Sequence, residues 1–246
     1  RIVMFLENKY LKFKGLNLTL ETLDGLLKHN GPVKDISKIN KIIGLNHFKN
    51  KIIFNKYPSL EAQISSISDD IAYNNHDIQD GIKADLFKLE DLIEINFFKE
   101  IYKKHNKNKK NKNQKILIHQ IIRDSIDSMV KDLINNTILN LKINKINKIQ
   151  KVYNSTKSIV CFSNKFIDIE KDIKFFLRKN MYKNKLVLTK NNNGKKIVKN
   201  LYSLISKNPY KFLNKQQLKE NKTRAIADYI SGMTDRYAIN LYKSKI

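Results

Sequence analysis

The chain has 246 residues, of which 41% are hydrophobic and 29% charged, so it can form one large domain or two small ones that bury a core. No apolar run approaches the length of a membrane-spanning helix, so such a helix is excluded. No secretory signal pattern opens the chain, so we expect no secretory signal. The single cysteine, Cys161, cannot form an internal disulfide, and we therefore expect a reducing compartment, the cytoplasm.

The formal net charge is +25, from 48 Lys plus Arg against 23 Asp plus Glu. Such a charge favours attraction to polyanions such as nucleic acid, nucleotide phosphates or an anionic membrane surface. The alternative is mutational, because abundant Lys, Asn and Ile without Trp are typical of an AT-rich genome. The lysines are spread along the chain, so net charge alone does not identify a ligand.

Helical patterns dominate from the beginning of the chain. Residues 2–6 are apolar with no N-cap residue before them, so we expect the chain to begin inside a domain. Seven Gly and three Pro are too few for a many-stranded β fold, so the predicted fold class is all-α, or mostly α. Further helices are predicted at 20–29, 35–44, 59–80, 89–103, 116–141, 168–181, 195–206 and 223–243.

Three breaks are predicted between these helices. Gly81 marks a break before residues 82–87, and 185–189 (KLVLT) is the best candidate for an extended piece, followed by a turn at 191–194. Residues 103–115 (KKHNKNKKNKNQK) contain no apolar residue, which is typical of a solvated loop. No aromatic residue is interleaved there for base stacking, so nucleic-acid binding by this loop is the lesser alternative. The loop separates a predicted core part, 1–102, from a helical part, 116–246, that packs on it.

A stripe of polar residues runs along the helix predicted at 59–80. Asp69, Tyr73 and Asp77 are spaced i, i+4 and i+8, away from an apolar face made by Leu60, Ile64, Ile67, Ile71 and Ile78. Carboxylates and a phenol on one face suit a divalent metal or sugar hydroxyls, and the alternative is a solvated acidic face. His76 precedes Asp77, but adjacent helical residues point about 100° apart, so this dipeptide alone predicts a surface histidine.

Three long stretches carry a family resemblance. They are 15–32 (GLNLTLETLDGLLKHNGP), 58–87 (PSLEAQISSISDDIAYNNHDIQDGIKADLF) and 225–238 (AIADYISGMTDRYA), with weaker similarity at 118–135 and 176–182. Together they resemble the deoxyguanosinetriphosphate triphosphohydrolase-like proteins of the HD superfamily over essentially the whole chain. The resemblance implies a helical HD-domain-like fold that is N-terminally truncated in this chain. It also implies the family's activity, which is hydrolysis of a deoxynucleoside triphosphate (dNTP) to deoxynucleoside and tripolyphosphate.

The resemblance also implies site residues. The family binds a divalent metal, such as Mg or Mn, through a His, a His-Asp pair and a final Asp, and Asp69 matches the final Asp. Tyr73 and Asp77 match the positions that contact the deoxyribose. The other metal ligands and the catalytic residues should precede Arg1, so we expect no catalytic residue within the chain and no activity from it alone.

Secondary site candidates lie elsewhere. His119 and Arg123 share a helix face, and the resemblance makes them candidates for the substrate phosphates. Lys28 and His29 sit at a helix end, where cations favour the dipole. The predicted partners are a dNTP substrate and, as a further possibility, a second copy of the chain, with no membrane. The alternative function is a basic helical nucleic-acid-binding or regulatory module without catalysis.

Overall fold

The computed structural model describes residues 1–43, 48, 51–106, 113–219 and 221–244. It is 70% helical, and the described residues contain no strand, only an isolated bridge between Asn8 and Gly15. The all-α prediction is confirmed. None of the helices in these ranges combines the length and apolar character needed to cross a bilayer. The chain forms two compact units, which we call the central unit (Thr19–Asn184) and the terminal unit (Arg1–Leu18 with Lys185–Ile246).

The central unit begins its first three helices at side-chain caps. The side chains of Thr19, Asp35 and Ser59 each accept a hydrogen bond from a backbone N–H of the first turn that follows. The helices are α1 (Leu20–Leu27), α2 (Ile36–Ile42), α3 (Leu60–Lys83), α4 (Leu89–Leu92), α5 (Asn96–His105), α6 (Gln114–Ile143), α7 (Ile149–Tyr153) and α8 (Asn164–Leu177), and a π-helical turn (Arg178–Tyr182) follows α8.

The core of the central unit forms where α3 packs against α6 and α8. Ile78 of α3, Met129 of α6 and Ile173 of α8 are all fully buried there. Of the apolar face predicted for α3, Ile64 is an exception because its side chain is 46% exposed. Burial of the remaining face fixes which side of α3 is turned to solvent.

Helix α3 continues through Gly81 to Lys83, so the predicted break at Gly81 is wrong. A Cβ at Gly81 would lie 2.3 Å from the ring of Phe87. That ring is buried and makes an edge-to-face contact with Phe176, with centroids 4.9 Å apart. Gly81 therefore allows Phe87, in the chain after α3, to pack closely against the helix, and it does not form a turn.

The region around the predicted basic loop is more helical than expected. The predicted helix 89–103 is divided into α4 and α5, and α5 continues to His105. Residues 107–112 lie outside the described residues, and α6 begins at Gln114. Because α6 packs on α3 and α5, helices from both sides of 103–115 share one core. The division into 1–102 and 116–246 stays a prediction.

The terminal unit has its own small core, made by Ile205, Leu213, Ala225 and Ile226. Its elements are a π-helical turn (Ile2–Leu6), α9 (Lys185–Lys207), a 3-10 turn (Pro209–Lys211), α10 (Lys215–Leu218), α11 (Lys222–Ser231) and α12 (Asp235–Lys243).

Three predictions about the terminal unit are wrong. Residues 185–189 are not extended and 191–194 do not form a turn, because α9 runs through both. Leu201 and Ile205 anchor α9 in buried positions, and helix cooperativity extends it through residues of weak helical preference. The predicted helix 223–243 is instead broken at Gly232, and Thr234 caps α12 by accepting a hydrogen bond from the Tyr237 N–H.

Candidate functional site

The polar stripe on α3 is on the surface of the central unit. The side chain of Asp69 is 50% exposed and Tyr73 is 62% exposed, whereas Ile71 and Ile78 of the same helix are buried. Asp77 is half-buried. The helix therefore presents two carboxylates and a phenol in one row to whatever binds there, as their spacing predicts.

Asp69 lies beside His29, which follows the end of α1. The His29 Nε2 atom is 3.7 Å from Asp69 Oδ2, longer than a hydrogen bond. The Ser66 hydroxyl of α3 donates to the His29 carbonyl oxygen at 2.6 Å and holds the end of α1 against α3. Sequence reasoning placed His29 at a helix end but had no signal for its position beside Asp69, which arises from packing between two helices.

Helices α1 and α3 approach closely and leave a hollow of about 390 Å³ between them. A Cβ at Gly25 would lie 2.9 Å from the Ala62 Cβ, so glycine allows this approach. His29 and Glu61 line the hollow, which places ionisable groups next to the row that begins at Asp69.

Asp77 accepts a hydrogen bond from the hydroxyl of Tyr182. Tyr182 ends the π-helical turn that follows α8, and this turn carries the phenol to α3. Burial and the hydrogen bond to the Asp77 carboxylate raise the pKa of Tyr182 above its ordinary value, so the phenol keeps its proton. Sequence reasoning noted the resemblance at 176–182 but did not identify Tyr182 as a site residue.

Lys174 of α8 places a cation beside the same face of α3. Its Nζ atom is 3.2 Å from Asp70 Oδ2 and 2.9 Å from Glu170 Oε1. Burial lowers the pKa of Lys174, but the two carboxylates outweigh burial and the net pKa is raised. An ammonium group paired with two carboxylates therefore lies next to the residue that follows Asp69, and the sequence pattern did not reveal it.

His119 and Arg123 line a separate hollow of about 540 Å³ on α6. His119 Nδ1 is 3.0 Å from Gln79 Nε2, and the Arg123 guanidinium donates to Gln120 at 3.5 Å. Neither contact involves Asp69, Tyr73 or Asp77. The substrate role of His119 and Arg123 stays a prediction.

The described residues do not by themselves form a metal site. Within them, no group of three or more His, Cys, Asp or Glu side chains is arranged to hold a metal ion. Asp69 and His29 are two suitable donors close together, a carboxylate oxygen and an imidazole nitrogen. Divalent metals in proteins take about four to six ligands, so a complete site needs donors from beyond this set.

Comparison with known proteins gives the family. The phosphohydrolase-associated domain matches residues 160–244. Deoxyguanosinetriphosphate triphosphohydrolase-like proteins from Pelagibacter ubique, Bartonella quintana and Rickettsia typhi are 69%, 37% and 34% identical over 98–99% of the chain. The chain belongs to the deoxyguanosinetriphosphate triphosphohydrolase-like family.

The match covers only part of each relative. The chain spans 66% of the length of the Pelagibacter protein, 63% of the Bartonella protein and 64% of the Rickettsia protein. It therefore spans just under two thirds of these members of the family. The matching domain and the names of the relatives make this a hydrolase family.

Proposed function

We propose that this chain supplies the sugar-binding face and one metal ligand of a dNTP triphosphohydrolase. The proposed reaction adds water to a dGTP-like substrate and yields a deoxynucleoside and tripolyphosphate. The observation that carries the proposal is the row Asp69, Tyr73 and Asp77 on the exposed face of α3, in a chain of this family. Cytoplasmic location and self-association remain predictions.

Asp69 would hold a divalent metal, with the His29 imidazole, 3.7 Å away, as a second donor. When bound, such a metal supplies a water of lowered pKa and Lewis acidity at the α-phosphorus. The other ligands would come from the part of the family's length that this chain does not span. Metal affinity needs several converging ligands, so Asp69 by itself would hold a cation weakly.

Asp77 would accept a hydrogen bond from the 3′-hydroxyl of the deoxyribose. The ring of Tyr73 would form the surface that the sugar contacts. Because Tyr182 donates to Asp77, one carboxylate oxygen is held in place and the other remains free to accept. Lys174 lies beside the row, where its ammonium group pairs with the carboxylates of Asp70 and Glu170. These roles give the sugar a fixed hydrogen-bond acceptor and an aromatic surface.

The function is tested by comparing the 246-residue chain with a longer polypeptide that adds the remaining length of its relatives. Both would be incubated with each dNTP and Mg²⁺ or Mn²⁺, and tripolyphosphate would be measured by ³¹P NMR. We expect metal-dependent release from the longer polypeptide and none from the chain alone. If the longer polypeptide releases tripolyphosphate from none of the dNTPs, the proposed reaction is wrong. If the 246-residue chain alone releases it robustly, the chain does not depend on residues beyond it for a complete active site.

Tyr182→Phe in the longer polypeptide should lower kcat/KM for dGTP roughly tenfold, because a hydrogen bond to a charged group contributes about 1.5–3 kcal/mol. The expected loss of kcat/KM is much smaller for 2′,3′-dideoxy-GTP, because it has no 3′-hydroxyl to donate a hydrogen bond to Asp77. Steady-state kinetics with both substrates measure this difference. Tyr210→Phe is the matched control, because the Tyr210 side chain is 72% exposed and belongs to the terminal unit. Equal losses for both substrates would contradict a role in sugar recognition.

A further inference from the structure

Two side-chain contacts join α3 to α8 and to the π-helical turn that follows it. The Lys174 Nζ atom is 3.2 Å from Asp70 Oδ2, and the Tyr182 hydroxyl donates to the Asp77 carboxylate. Residue numbers rise along both helices from the first contact to the second, so α3 and α8 run in the same direction here. The second contact decides where the phenol of Tyr182 lies relative to the row on α3.

The two contacts are spaced differently on the two helices. Asp70 and Asp77 are seven residues apart on α3, which is about two α-helical turns, so their side chains leave the helix within about 20° of each other. Lys174 and Tyr182 are eight residues apart. In a continuous α-helix, the eighth residue points about 80° away from the first. Regular α-helical geometry would therefore turn Tyr182 away from Asp77.

The π-helical turn removes this mismatch. It covers Arg178–Tyr182, and the Lys183 N–H donates to the Arg178 carbonyl oxygen at 3.2 Å, five residues back. A turn closed by such a bond contains one residue more than an α-helical turn. Eight residues that include it therefore cover nearly the angle that seven residues cover in an α-helix. Tyr182 then points to the same side of α8 as Lys174, and both contacts with α3 form.

Core packing prevents α8 from rotating to reach the same result. Ile173 and Leu177 are fully buried, and the buried Phe176 ring contacts the Phe87 ring edge to face. Met181, inside the turn, is partly buried against the same core. Apolar residues before and within the turn are thus fixed by their contacts, because a rotation of the whole helix would expose them. The additional residue must be accommodated locally, by widening of the turn.

The side chain of Asn180 stabilises the wide turn. It is half-buried, and its Nδ2 atom donates to the Phe176 carbonyl oxygen at 3.1 Å. In an α-helix this carbonyl accepts the backbone N–H of the residue four positions later, which is Asn180 itself. The amide of Asn180 competes with that N–H, and side chains that enter the backbone hydrogen-bond ladder in this way distort helices locally. The bond therefore favours the π-helical turn over a regular one.

We propose that the π-helical turn places Tyr182 on Asp77, and that Asn180 is the positioning residue that maintains this turn. Asn180 acts through Tyr182 and is not itself a sugar contact. With Tyr182 on one oxygen of Asp77, the other oxygen is oriented for the 3′-hydroxyl of a deoxyribose. The turn thereby determines how strongly the site prefers a sugar that has this hydroxyl. The consequence for the sugar rests on the proposed function, whereas the placement of Tyr182 does not.

The placement of Tyr182 is tested by NMR of the 246-residue chain labelled with ¹³C at the tyrosine Cζ atoms, with Tyr182→Phe to assign the signal. Burial and the hydrogen bond to Asp77 raise the pKa of Tyr182, so a lost contact lets the phenol titrate at lower pH. Deletion of the exposed Lys179 leaves seven residues, which a regular α-helix accommodates, and the titration should stay as in the parent. An alanine inserted after Lys179 should shift it to lower pH, and so should Asn180→Leu.

Sugar preference gives a second measurement, the ratio of kcat/KM for dGTP to that for 2′,3′-dideoxy-GTP in the longer polypeptide. Asn180→Leu should lower this ratio about twofold to tenfold, the range that one neutral hydrogen bond supports. Deletion of Lys179 in the Asn180→Leu background should restore it. Asn164→Leu is the matched control, because it changes an exposed asparagine at the other end of α8, and it should keep the parent's ratio. Circular dichroism checks that each variant is folded.

Opposite effects of the deletion and the insertion are the decisive result. If both shift the Tyr182 titration equally, or if Asn180→Leu titrates as Asn164→Leu does, the turn does not place Tyr182 and the proposal is wrong. A longer polypeptide that hydrolyses no dNTP would instead disprove the proposed function. The NMR titration of the 246-residue chain still decides the placement of Tyr182 in that case, so the two failures are distinguishable.

Discussion

Asp69→Ala, made in the longer polypeptide, should reduce metal-dependent release of tripolyphosphate by at least about a hundredfold. Loss of a group that only supports a metal ligand already costs about 10–100-fold, and a direct ligand costs more. Asp69 is half-exposed and lies 3.7 Å from His29, and no group of three or more potential metal donors among the described residues could take its place. The variant rate would be measured by tripolyphosphate release across a range of Mn²⁺ concentrations.

Two further variants make this result specific. Asp168→Ala removes a carboxylate of α8 that is 73% exposed and whose one ion pair among the described residues is with Lys171, so it should leave the rate within about twofold of the parent's. His29→Ala tests whether the imidazole beside Asp69 also supports the metal. If Asp69→Ala retains the parent's rate and metal dependence, Asp69 is not a ligand and the assignment of the row on α3 is wrong.

Gln63→Leu should lower the free energy of unfolding of the central unit by roughly 3–6 kcal/mol, since each buried polar group left without a partner costs about 1–3 kcal/mol. Gln63 is 6% exposed and joins the start of α3 to residues 158–160. Its Oε1 atom accepts from the Ser158 hydroxyl at 2.8 Å and from the N–H groups of Ile159 and Val160 at 2.9 and 3.1 Å. Its Nε2 atom donates to the Pro58 carbonyl oxygen at 2.9 Å.

Leucine has nearly the volume of glutamine but satisfies none of these four partners, so the loss measures polar contacts and not cavity formation. Urea denaturation followed by circular dichroism gives the free energy. Gln79→Leu is the control on the same helix, because that half-buried side chain contacts only His119 in the described hydrogen bonds and should cost less than about 1 kcal/mol. Equal stability of both variants would contradict the bridging role of Gln63.

Local signals in the sequence were sufficient for several features. The helix starts at Thr19, Asp35 and Ser59 were predictable because a capping side chain bonds to the backbone only two or three residues away. The row Asp69, Tyr73 and Asp77 was predictable for the same reason, since positions four apart share a face of any helix. The all-α class followed from few turn-forming residues, and the family from long similar stretches.

Tertiary structure decided what depends on contacts between distant residues. The amphipathic pattern of α9 continues across residues that favour strands and turns, and burial of Leu201 and Ile205 determines that it remains helical. Tyr182 on Asp77, His29 beside Asp69 and Lys174 on Asp70 join residues 40 to 105 positions apart. No local spacing encodes such pairs. The sequence by itself determined the row of candidate ligands on α3, and packing of α1 and α8 determined which side chains surround that row.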